Sequence, residues 1–298
     1  MPIRRVGVVG AGTMGQGIIQ VTAEAGIAVI FQEVDQEAIG RALAGISASL
    51  DIEVAKWGIT EKEKSIILSR IGTTTAYEKF NEVDLVIEAV DEDIERKKAI
   101  YDILSKICRM DVIFATNTST LSVSNLGFYS GRPEQFIGMH FQPPVPKKPL
   151  VEIVRGLSTS NQTYQAVREF AITLHKTAIE VFEWPGYVTT RVMVPMINEA
   201  VFALMEGVAS AEDIDKAMVL GCGLEMGPLH LADAMGLDTV VFQMEHLFHE
   251  LGDIKYRPCP LLKKMIRAGR LGVKTGKGFF EYELPESVKV HPNLASVM

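Results

Sequence analysis

Cysteine is scarce in this chain of 298 residues, with one each at positions 108, 222 and 259. Three widely separated cysteines form neither a disulfide framework nor a CxxC zinc or redox motif, so the sequence favours a reducing cytoplasm. Long apolar runs are also missing, since no segment of about 18 residues is apolar and free of charge, as a transmembrane helix requires. The most apolar segment, residues 187–205, contains Arg191, Asn198 and Glu199. We therefore expect a cytoplasmic protein without a membrane partner.

Basic residues are outnumbered, with 30 Lys and Arg against 37 Asp and Glu and a net charge of -7. This balance argues against a nucleic-acid partner, although it is compatible with a local basic patch for a phosphorylated ligand. The apolar fraction of 47% and the charged fraction of 22% are close to globular averages, which argues against disorder, collagen and coiled coils.

The His246-x-x-His249 pair has no third ligand in sequence, so we expect no metal site.

Short apolar runs alternate with helical patterns in the first part of the chain. The runs predict strands at residues 5–9, 28–31, 83–90, 112–115, 136–140 and 150–154. A charged helical pattern extends from about residue 36 to residue 68. Strands that alternate with helices indicate a parallel sheet of the α/β class.

The composition changes at Trp184-Pro185-Gly186, and the pattern beyond this point is helical. The helices are predicted at residues 188–206 with a bend at Pro195, 211–220, 229–235, 237–251 and 260–268. We therefore predict an α/β domain over residues 1–184 and an all-α domain over residues 185–298.

A glycine-rich motif, Gly10-x-Gly12-x-x-Gly15, stands between the first predicted strand and a helix. Gly10 permits a tight turn, Gly12 lets the backbone approach a pyrophosphate, and Gly15 allows the helix to pack closely on the strand. The second strand is followed by Glu33, close to the spacing of about 20 residues expected for the acid that binds the ribose hydroxyls. Asp35 competes for this role, and an unliganded tight turn is the structural alternative for the glycines. No Arg follows Glu33 directly, so NAD is favoured over NADP.

Further motifs follow along the chain. They are residues 117–122 (NTSTLS), 138–141 (GMHF), 150–152 (LVE), 226–228 (MGP), 236–238 (GLD) and 272–279 (GVKTGKGF). Together with GAGTMG at residues 10–15, they resemble the short-chain L-3-hydroxyacyl-CoA dehydrogenases, most closely the bacterial 3-hydroxybutyryl-CoA dehydrogenases. The resemblance covers essentially the whole chain in the right order. It implies a Rossmann-type dinucleotide-binding domain, an all-α C-terminal domain that forms a homodimer and contributes to substrate binding, and NAD-linked oxidation of an L-3-hydroxyacyl-CoA substrate.

His140 and Glu152 are the candidate catalytic pair. Oxidation of a secondary alcohol needs a base for the hydroxyl proton, and the unperturbed pKa of histidine lies nearest neutral pH. His140 lies at the carboxyl end of a predicted strand, where open α/β sheets bind ligands. Glu152 matches the family's carboxylate partner, which would hold the imidazole in one tautomer. Without the resemblance, a structural histidine would be the more common role for His140.

The resemblance assigns further roles to residues of the first domain. Ser119 matches the serine that hydrogen-bonds the substrate's 3-oxygen, and a helix cap or turn is the alternative for it and for Asn117. The residues assigned to the cofactor besides Gly10, Gly12, Gly15 and Glu33 are Thr13, Met14, Glu92, Lys97 and Asn117. A solvated helix start explains Glu92 and Lys97 nearly as well. Lys56 matches a lysine that contacts the CoA phosphates, although surface lysines on helices are common.

Two positions depart from the family pattern. The family reads PGF-x-x-N-R where this chain has residues 185–191 (PGYVTTR), so Thr190 replaces an asparagine that positions the substrate carbonyl. Pro143 replaces a second asparagine, beside Gln142 and His140. Loss of one aligned polar contact can lower a rate by about 10²–10³. Two hypotheses follow: an active dehydrogenase, for 3-hydroxybutyryl-CoA or a different 3-hydroxy acid, or a divergent relative that binds NAD and CoA with weak or no turnover.

Overall fold

A computed structural model describes residues 3–283 of the chain. The chain divides into two compact units, the first ending at Tyr187 and the second beginning at Val188. Residues 1–2 of the predicted first domain and residues 284–298 of the predicted second domain lie outside the described residues. Between residues 3 and 283, no helix combines the length and the apolar character needed to cross a membrane.

Over residues 3–187, the first unit is built on one sheet of eight strands. The strands are β1 (Arg5–Val9), β2 (Ala28–Gln32), β3 (Ile71–Thr74), β4 (Leu85–Glu88), β5 (Ile113–Thr116), β6 (Phe136–Phe141), β7 (Leu150–Arg155) and β8 (Thr177–Phe182). Their order across the sheet is β3-β2-β1-β4-β5-β6-β7-β8. All neighbouring pairs are parallel except β6 and β7, which are antiparallel. This topology confirms the predicted α/β class and its Rossmann-type first half.

Helices cover both faces of this sheet. They are α1 (Thr13–Glu24), α2 (Gln36–Ala55), α3 (Glu61–Ser69), α4 (Ile94–Ile107), α5 (Val123–Tyr129) and α6 (Asn161–Thr173), with short 3₁₀ helices at Glu78–Glu82 and Pro133–Gln135. Two apolar clusters form the core of the unit. The central strands β1 and β4 are buried at nearly every position because helices pack on both of their sides, which is why they read as continuous apolar runs.

The continuous helical region expected over residues 36–68 is wrong in one respect, because the structure has two helices there. The break follows α2, where Trp57 takes a left-handed backbone with φ 61° and Gly58 comes next. Thr60 then starts α3 with a capping box, since its side chain accepts from the Glu63 N–H and the Glu63 carboxylate accepts from the Thr60 N–H. This reciprocal cap provides acceptors for the backbone N–H groups of Thr60 and Glu63. In a continuous helix these N–H groups would instead donate to carbonyls of the preceding turn.

The second unit is helical among its described residues. Its helices are α7 (Thr189–Met205), α8 (Ala211–Cys222), α9 (Pro228–Met235), α10 (Leu237–Leu251) and α11 (Pro260–Arg267), with 3₁₀ helices at Ile254–Tyr256 and Val273–Thr275. Pro195 lies inside α7, as predicted. The buried Asp233 of α9 accepts hydrogen bonds from the N–H groups of Phe279 and Phe280 and from the hydroxyl of Tyr282. Asp233 therefore fastens the segment after residue 278 to this unit, and the predicted all-α class is confirmed.

The reactivity of the three cysteines tests whether Cys108 and Cys259 are buried as the structure shows. All three are free: Cys222 is exposed, whereas Cys108 and Cys259 are buried. Burial raises the pKa of the Cys108 thiol to about 11 and also raises the pKa of Cys259. Since the thiolate is the reactive form, we expect iodoacetamide at mildly alkaline pH to modify the folded protein at Cys222 alone and the denatured protein at all three positions. Peptide mass mapping checks this, and equally fast modification of Cys108 in the folded protein would contradict it.

Candidate active site

The glycine motif forms the turn between β1 and α1. Gly10 has a left-handed backbone with φ +86°, which disfavours any side chain there. A Cβ on Gly15 would lie 2.0 Å from the Gly10 carbonyl oxygen, so only glycine lets α1 approach β1 this closely. At Gly12 the situation is the reverse, since apart from its chain neighbours no described atom lies within 4 Å of the Cβ position. Gly12, at the N-terminus of α1, therefore leaves open space for a ligand at the positive end of the helix dipole.

A cavity of about 420 Å³ lies beside this turn. It is lined by Gly10, Gly12, Gln32, Glu33, Val34, Tyr77, Val90, Asp91, Arg96 and neighbouring apolar residues. The Glu33 carboxylate accepts hydrogen bonds from the Ala11 N–H at 2.7 Å and from the Val34 N–H at 3.0 Å. Asp35 instead caps α2 by accepting from the Ala38 N–H at 2.7 Å. The open space at Gly12 and the acid at the end of β2 fit a dinucleotide whose ribose hydroxyls hydrogen-bond the carboxylate.

The close approach at Gly15 gives a prediction for cofactor binding. In Gly15→Ala the new methyl group must displace Gly10 or α1, and we expect NADH binding to weaken by about 10- to 100-fold, which is roughly 1.4–2.8 kcal/mol. Gly40→Ala in α2 is the matched control because a Cβ there meets open space. We expect this control to bind NADH like the parent. Fluorescence titration with NADH measures both variants, and unchanged binding in Gly15→Ala would refute the prediction.

The antiparallel pairing of β6 with β7 places His140 directly opposite Glu152. The distance from His140 Nδ1 to Glu152 Oε2 is 2.6 Å, and Glu152 is fully buried. A buried carboxylate at this distance binds the Nδ1–H tautomer of the imidazole, which leaves Nε2 as the proton acceptor. The amide nitrogen of Gln142 lies 3.2 Å from the same Nδ1. The two residues chosen as the catalytic pair are thus neighbours in space, with the geometry of a base and its orienting carboxylate.

Asn117 and Ser119 follow β5, the strand beside β6. The Asn117 side-chain oxygen accepts from the Phe141 N–H at 3.0 Å, which ties the end of β5 to the residue after His140. The Ser119 N–H donates to Glu92 Oε1 at 2.9 Å, and the Ser119 hydroxyl lies 3.5 Å from the same oxygen. Ser119 and His140 are therefore carried by neighbouring strands at the carboxyl edge of the sheet.

Glu92 organises the segment around Ser119. Besides the Ser119 N–H, its Oε1 accepts from the Thr118 hydroxyl and from the Thr120 N–H at 3.2 Å. Burial alone would raise the pKa of Glu92, but the Lys97 ammonium and these donors outweigh it and hold the pKa below its usual value. An ionised Glu92 thus fixes the backbone of residues 118–120.

Lys97 is buried and contacts acids of its own chain. Its ammonium lies 2.6 Å from Glu88 Oε1, 3.2 Å from the Val90 carbonyl oxygen and 3.5 Å from Glu92 Oε2. The Thr116 hydroxyl donates to the other oxygen of Glu88 at 2.8 Å. Burial raises the pKa of Glu88, and Lys97 offsets part of that effect. Glu88 was not predicted from the sequence, although an acid at the end of an apolar strand indicates a buried charge that needs a partner.

The remaining candidate residues lie at the edges of their elements. Thr13 and Met14 form the first turn of α1, with Thr13 exposed and Met14 half-buried. Lys56 is exposed at the C-terminus of α2. Thr190 belongs to the second unit, where it is buried in the first turn of α7. Among residues 3–283, no group of three His, Cys, Asp or Glu side chains is placed to hold a metal ion. The functional roles of Thr13, Met14, Lys56 and Thr190 stay predictions.

Comparisons with known proteins agree with the motifs. The family model for the 3-hydroxyacyl-CoA dehydrogenase NAD binding domain matches residues 5–184, and that for the 3-hydroxyacyl-CoA dehydrogenase C-terminal domain matches residues 186–282. The chain is 44% identical over 283 residues to the probable 3-hydroxybutyryl-CoA dehydrogenase of Bacillus subtilis, with 95% of this chain and 99% of that protein covered. It is 44% identical over 278 residues to the 3-hydroxybutyryl-CoA dehydrogenase of Clostridioides difficile, with 93% and 99% covered.

A solved structure supports the same relationship. The (S)-3-hydroxybutyryl-CoA dehydrogenase from Ralstonia eutropha matches with a TM-score of 0.90 and 44% identity, covering 95% of this chain and 100% of that chain. The resemblance inferred from the motifs is confirmed by these matches. The chain therefore belongs to the 3-hydroxyacyl-CoA dehydrogenase family.

Proposed function

We propose that this chain is an NAD-dependent dehydrogenase that oxidises L-3-hydroxybutyryl-CoA to the 3-oxoacyl-CoA and catalyses the reverse reduction. The observation that carries the proposal is the buried His140–Glu152 pair, with 2.6 Å between Nδ1 and Oε2, at the carboxyl edge of a dinucleotide-binding sheet. The named activities of the relatives support the same reaction and the same acyl group.

In this reaction His140 is the general base. Its Nε2 takes the proton of the substrate's 3-hydroxyl, and the Glu152 carboxylate stabilises the imidazolium that forms. The Ser119 hydroxyl hydrogen-bonds the same substrate oxygen. When bound, NAD supplies the acceptor for the hydride that leaves the carbon. In the reverse direction His140 returns the proton to the oxygen.

Residues of the first unit would hold the cofactor. The turn from Gly10 to Gly15 and the N-terminus of α1 bind the pyrophosphate, with Thr13 and Met14 in the first turn of the helix. Glu33 binds the ribose hydroxyls and repels a 2′-phosphate, which favours NAD over NADP. Lys97 affects cofactor binding indirectly, by holding Glu88 and Glu92 in place, because its ammonium already contacts both carboxylates. Glu92 and Asn117 then shape the nicotinamide end of the site.

The acyl-CoA would meet Lys56 through its phosphates and Thr190 through its carbonyl. For Thr190 we expect one hydrogen bond from the hydroxyl to the substrate. Thr190→Val keeps the shape and removes the hydroxyl, so kcat/KM for 3-hydroxybutyryl-CoA is expected to fall by about 10-fold or more. Steady-state kinetics with matched NAD concentrations measure the change. A Thr190→Val enzyme as efficient as the parent would remove Thr190 from the site.

Formation of NADH from a series of L-3-hydroxyacyl-CoA thioesters, with NAD and NADP in parallel, tests the proposed function. We expect turnover with NAD, the highest efficiency at the four-carbon chain and little use of NADP. Binding of NADH and acyl-CoA without any turnover across the series would reject the proposal in favour of a divergent binding relative. Efficient turnover of a different 3-hydroxy acid, without turnover of 3-hydroxybutyryl-CoA, would reject the proposed four-carbon acyl group. It would leave the proposed dehydrogenase chemistry intact.

We also infer a homodimer formed through the second unit. Several large apolar side chains are exposed there in the single chain, including Val192, Val208 and Leu220 with relative exposures of 67%, 71% and 78%. A two-fold partner would bury such side chains. Light scattering at micromolar concentration should give twice the chain mass, and a stable monomer would refute the inference.

We also propose a cytoplasmic location, which the free, exposed Cys222 supports.

A further inference from the structure

Tyr187, the last residue of the first unit, contacts the proposed base. Its ring centroid lies 5.4 Å from that of His140, and the two ring planes meet at 62° in an edge-to-face arrangement. Tyr187 is buried, with 4% of its surface exposed. Edge-to-face ring pairs are directional, so this contact restricts how the imidazole can turn about its side-chain bonds.

The other end of the same side chain contacts the segment that carries Ser119. The Tyr187 hydroxyl donates to the Leu121 carbonyl oxygen at 3.1 Å. Burial raises the pKa of the Tyr187 phenol well above its ordinary value, and the carboxylates of Glu92 and Glu183 raise it further. The phenol therefore stays protonated and remains a donor to this carbonyl.

The backbone of Tyr187 adopts a strained conformation. Its φ is 51°, in the left-handed region that aromatic residues rarely adopt, and it directly follows Gly186 with φ 79°. Such a conformation persists only where the surroundings over-determine it, and it occurs often at functional sites. The ring contact with His140 and the hydrogen bond to Leu121 are two interactions that hold it.

We propose that Tyr187 is a positioning residue that fixes the His140 imidazole and the Ser119 segment relative to each other. The ring restrains the base, and the hydroxyl fastens residues 118–121, so one side chain sets the spacing between the two groups that meet the substrate oxygen. The family pattern has phenylalanine here, which keeps the ring and lacks the hydroxyl. This inference rests on the proposed function for its kinetic consequences, whereas its structural claim stands on the two contacts.

Kinetics of three variants test the proposal. Tyr187→Leu removes both contacts and should lower kcat by about 10- to 100-fold, the scale expected when a reacting group is displaced by about 1 Å. Its KM for NAD should change by less than about 2-fold, because these contacts lie outside the glycine turn. Tyr187→Phe restores the ring and should bring kcat to within about 5-fold of the parent. Tyr164→Leu, another buried tyrosine of the first unit, is the control and should leave kcat nearly unchanged.

A second measurement does not depend on turnover. Imidazole nitrogen NMR spectra, with His140 assigned by its loss in His140→Gln, should show shifted or broadened His140 signals in Tyr187→Leu and unchanged signals in Tyr164→Leu. Unchanged His140 signals, or equal loss of kcat in both leucine variants, would overturn the positioning role. An inactive parent with shifted signals in Tyr187→Leu would reject the proposed function and leave the structural claim supported. If Tyr187→Leu does not fold, the Ser122 amide signals of Tyr187→Phe carry the test, because the Ser122 N–H shares a peptide group with the Leu121 carbonyl. Shifted signals support the role of the hydroxyl, and unshifted ones overturn it.

Discussion

His140→Gln is expected to lower kcat for L-3-hydroxybutyryl-CoA by about 10²- to 10⁴-fold, the range that a positioned general base contributes. Glutamine fills much of the imidazole's volume and can hydrogen-bond Glu152, but it cannot take a proton near neutral pH. The buried Glu152 keeps a hydrogen-bonding partner in this variant, so the fold should be retained. Stopped-flow and steady-state measurements of NADH formation give the change in kcat.

The control for this variant is His249→Gln, which alters an exposed histidine of the second unit. We expect the control to match the parent in kcat and both variants to bind NADH with parental affinity. A His140→Gln enzyme with kcat within tenfold of the parent would show that another group accepts the proton, and the assignment of His140 would fail.

Glu152→Gln is expected to lower kcat by a comparable factor of about 10²–10⁴, as a change of the orienting acid does in hydrolase triads. The carboxylate accepts a hydrogen bond from Nδ1–H of His140. A carboxamide can instead donate to Nδ1, which moves the imidazole proton to Nε2 and blocks the nitrogen that must accept the substrate proton. The imidazolium formed in the reaction also loses its buried counter-charge.

Glu180→Gln is a matched control for this change. Glu180 lies on β8, the neighbour of β7, and pairs with Arg155 near the surface at 3.0 Å. Since ion pairs near the surface contribute little, the control should keep the parental kcat and stability. Equal activity of Glu152→Gln and the parent would mean that the 2.6 Å contact does not orient the base.

The proposed catalytic pair, His140 and Glu152, was predicted from the family resemblance, and the two predicted strands with the proline-rich loop between them explain how the residues come together. Two apolar runs separated by a proline-rich loop predict a strand and its return, and the carboxyl end of the first strand then faces the beginning of the second. His140 and Glu152 occupy those two positions, and the structure pairs them directly. The turn from Gly10 to Gly15 was also predictable from the sequence, since Gly10 and Gly15 each meet a local steric requirement and Gly12 leaves space for a ligand.

Glu88 at the end of an apolar strand was detectable in the sequence as a buried acid, but its pairing with Lys97 was not predictable. Glu88 and Lys97 lie on different elements, and the helical pattern around Lys97 resembles a solvated surface helix because charged residues surround it. Only the packing of α4 against the sheet shows that this one lysine points inward and neutralises a buried acid. Burial of a charge is a tertiary property, which local periodicity does not encode.

Two strands were missed for a related reason. β3 contains a glycine and two threonines, and β8 has three exposed positions, two partly buried ones and a single buried one. Both lie at the ends of the sheet, where one edge has no strand partner among residues 3–283. Neither therefore carries the continuous apolar run of a central parallel strand. Edge position in the sheet is decided by pairing with distant segments.

Stereospecific hydride transfer is the decisive test of the proposed L-3-hydroxyacyl-CoA dehydrogenase activity. The purified chain is mixed with NAD and either L- or D-3-hydroxybutyryl-CoA, and NADH is followed by its near-ultraviolet absorbance. The assignment of His140 as the base and of an L-3-hydroxyacyl-CoA as the substrate requires rapid NADH formation from the L-thioester, near-zero formation from the D-thioester, and loss of the L-signal in His140→Gln. Absence of NADH from the L-thioester, under conditions in which the chain binds both NADH and the thioester, would contradict it.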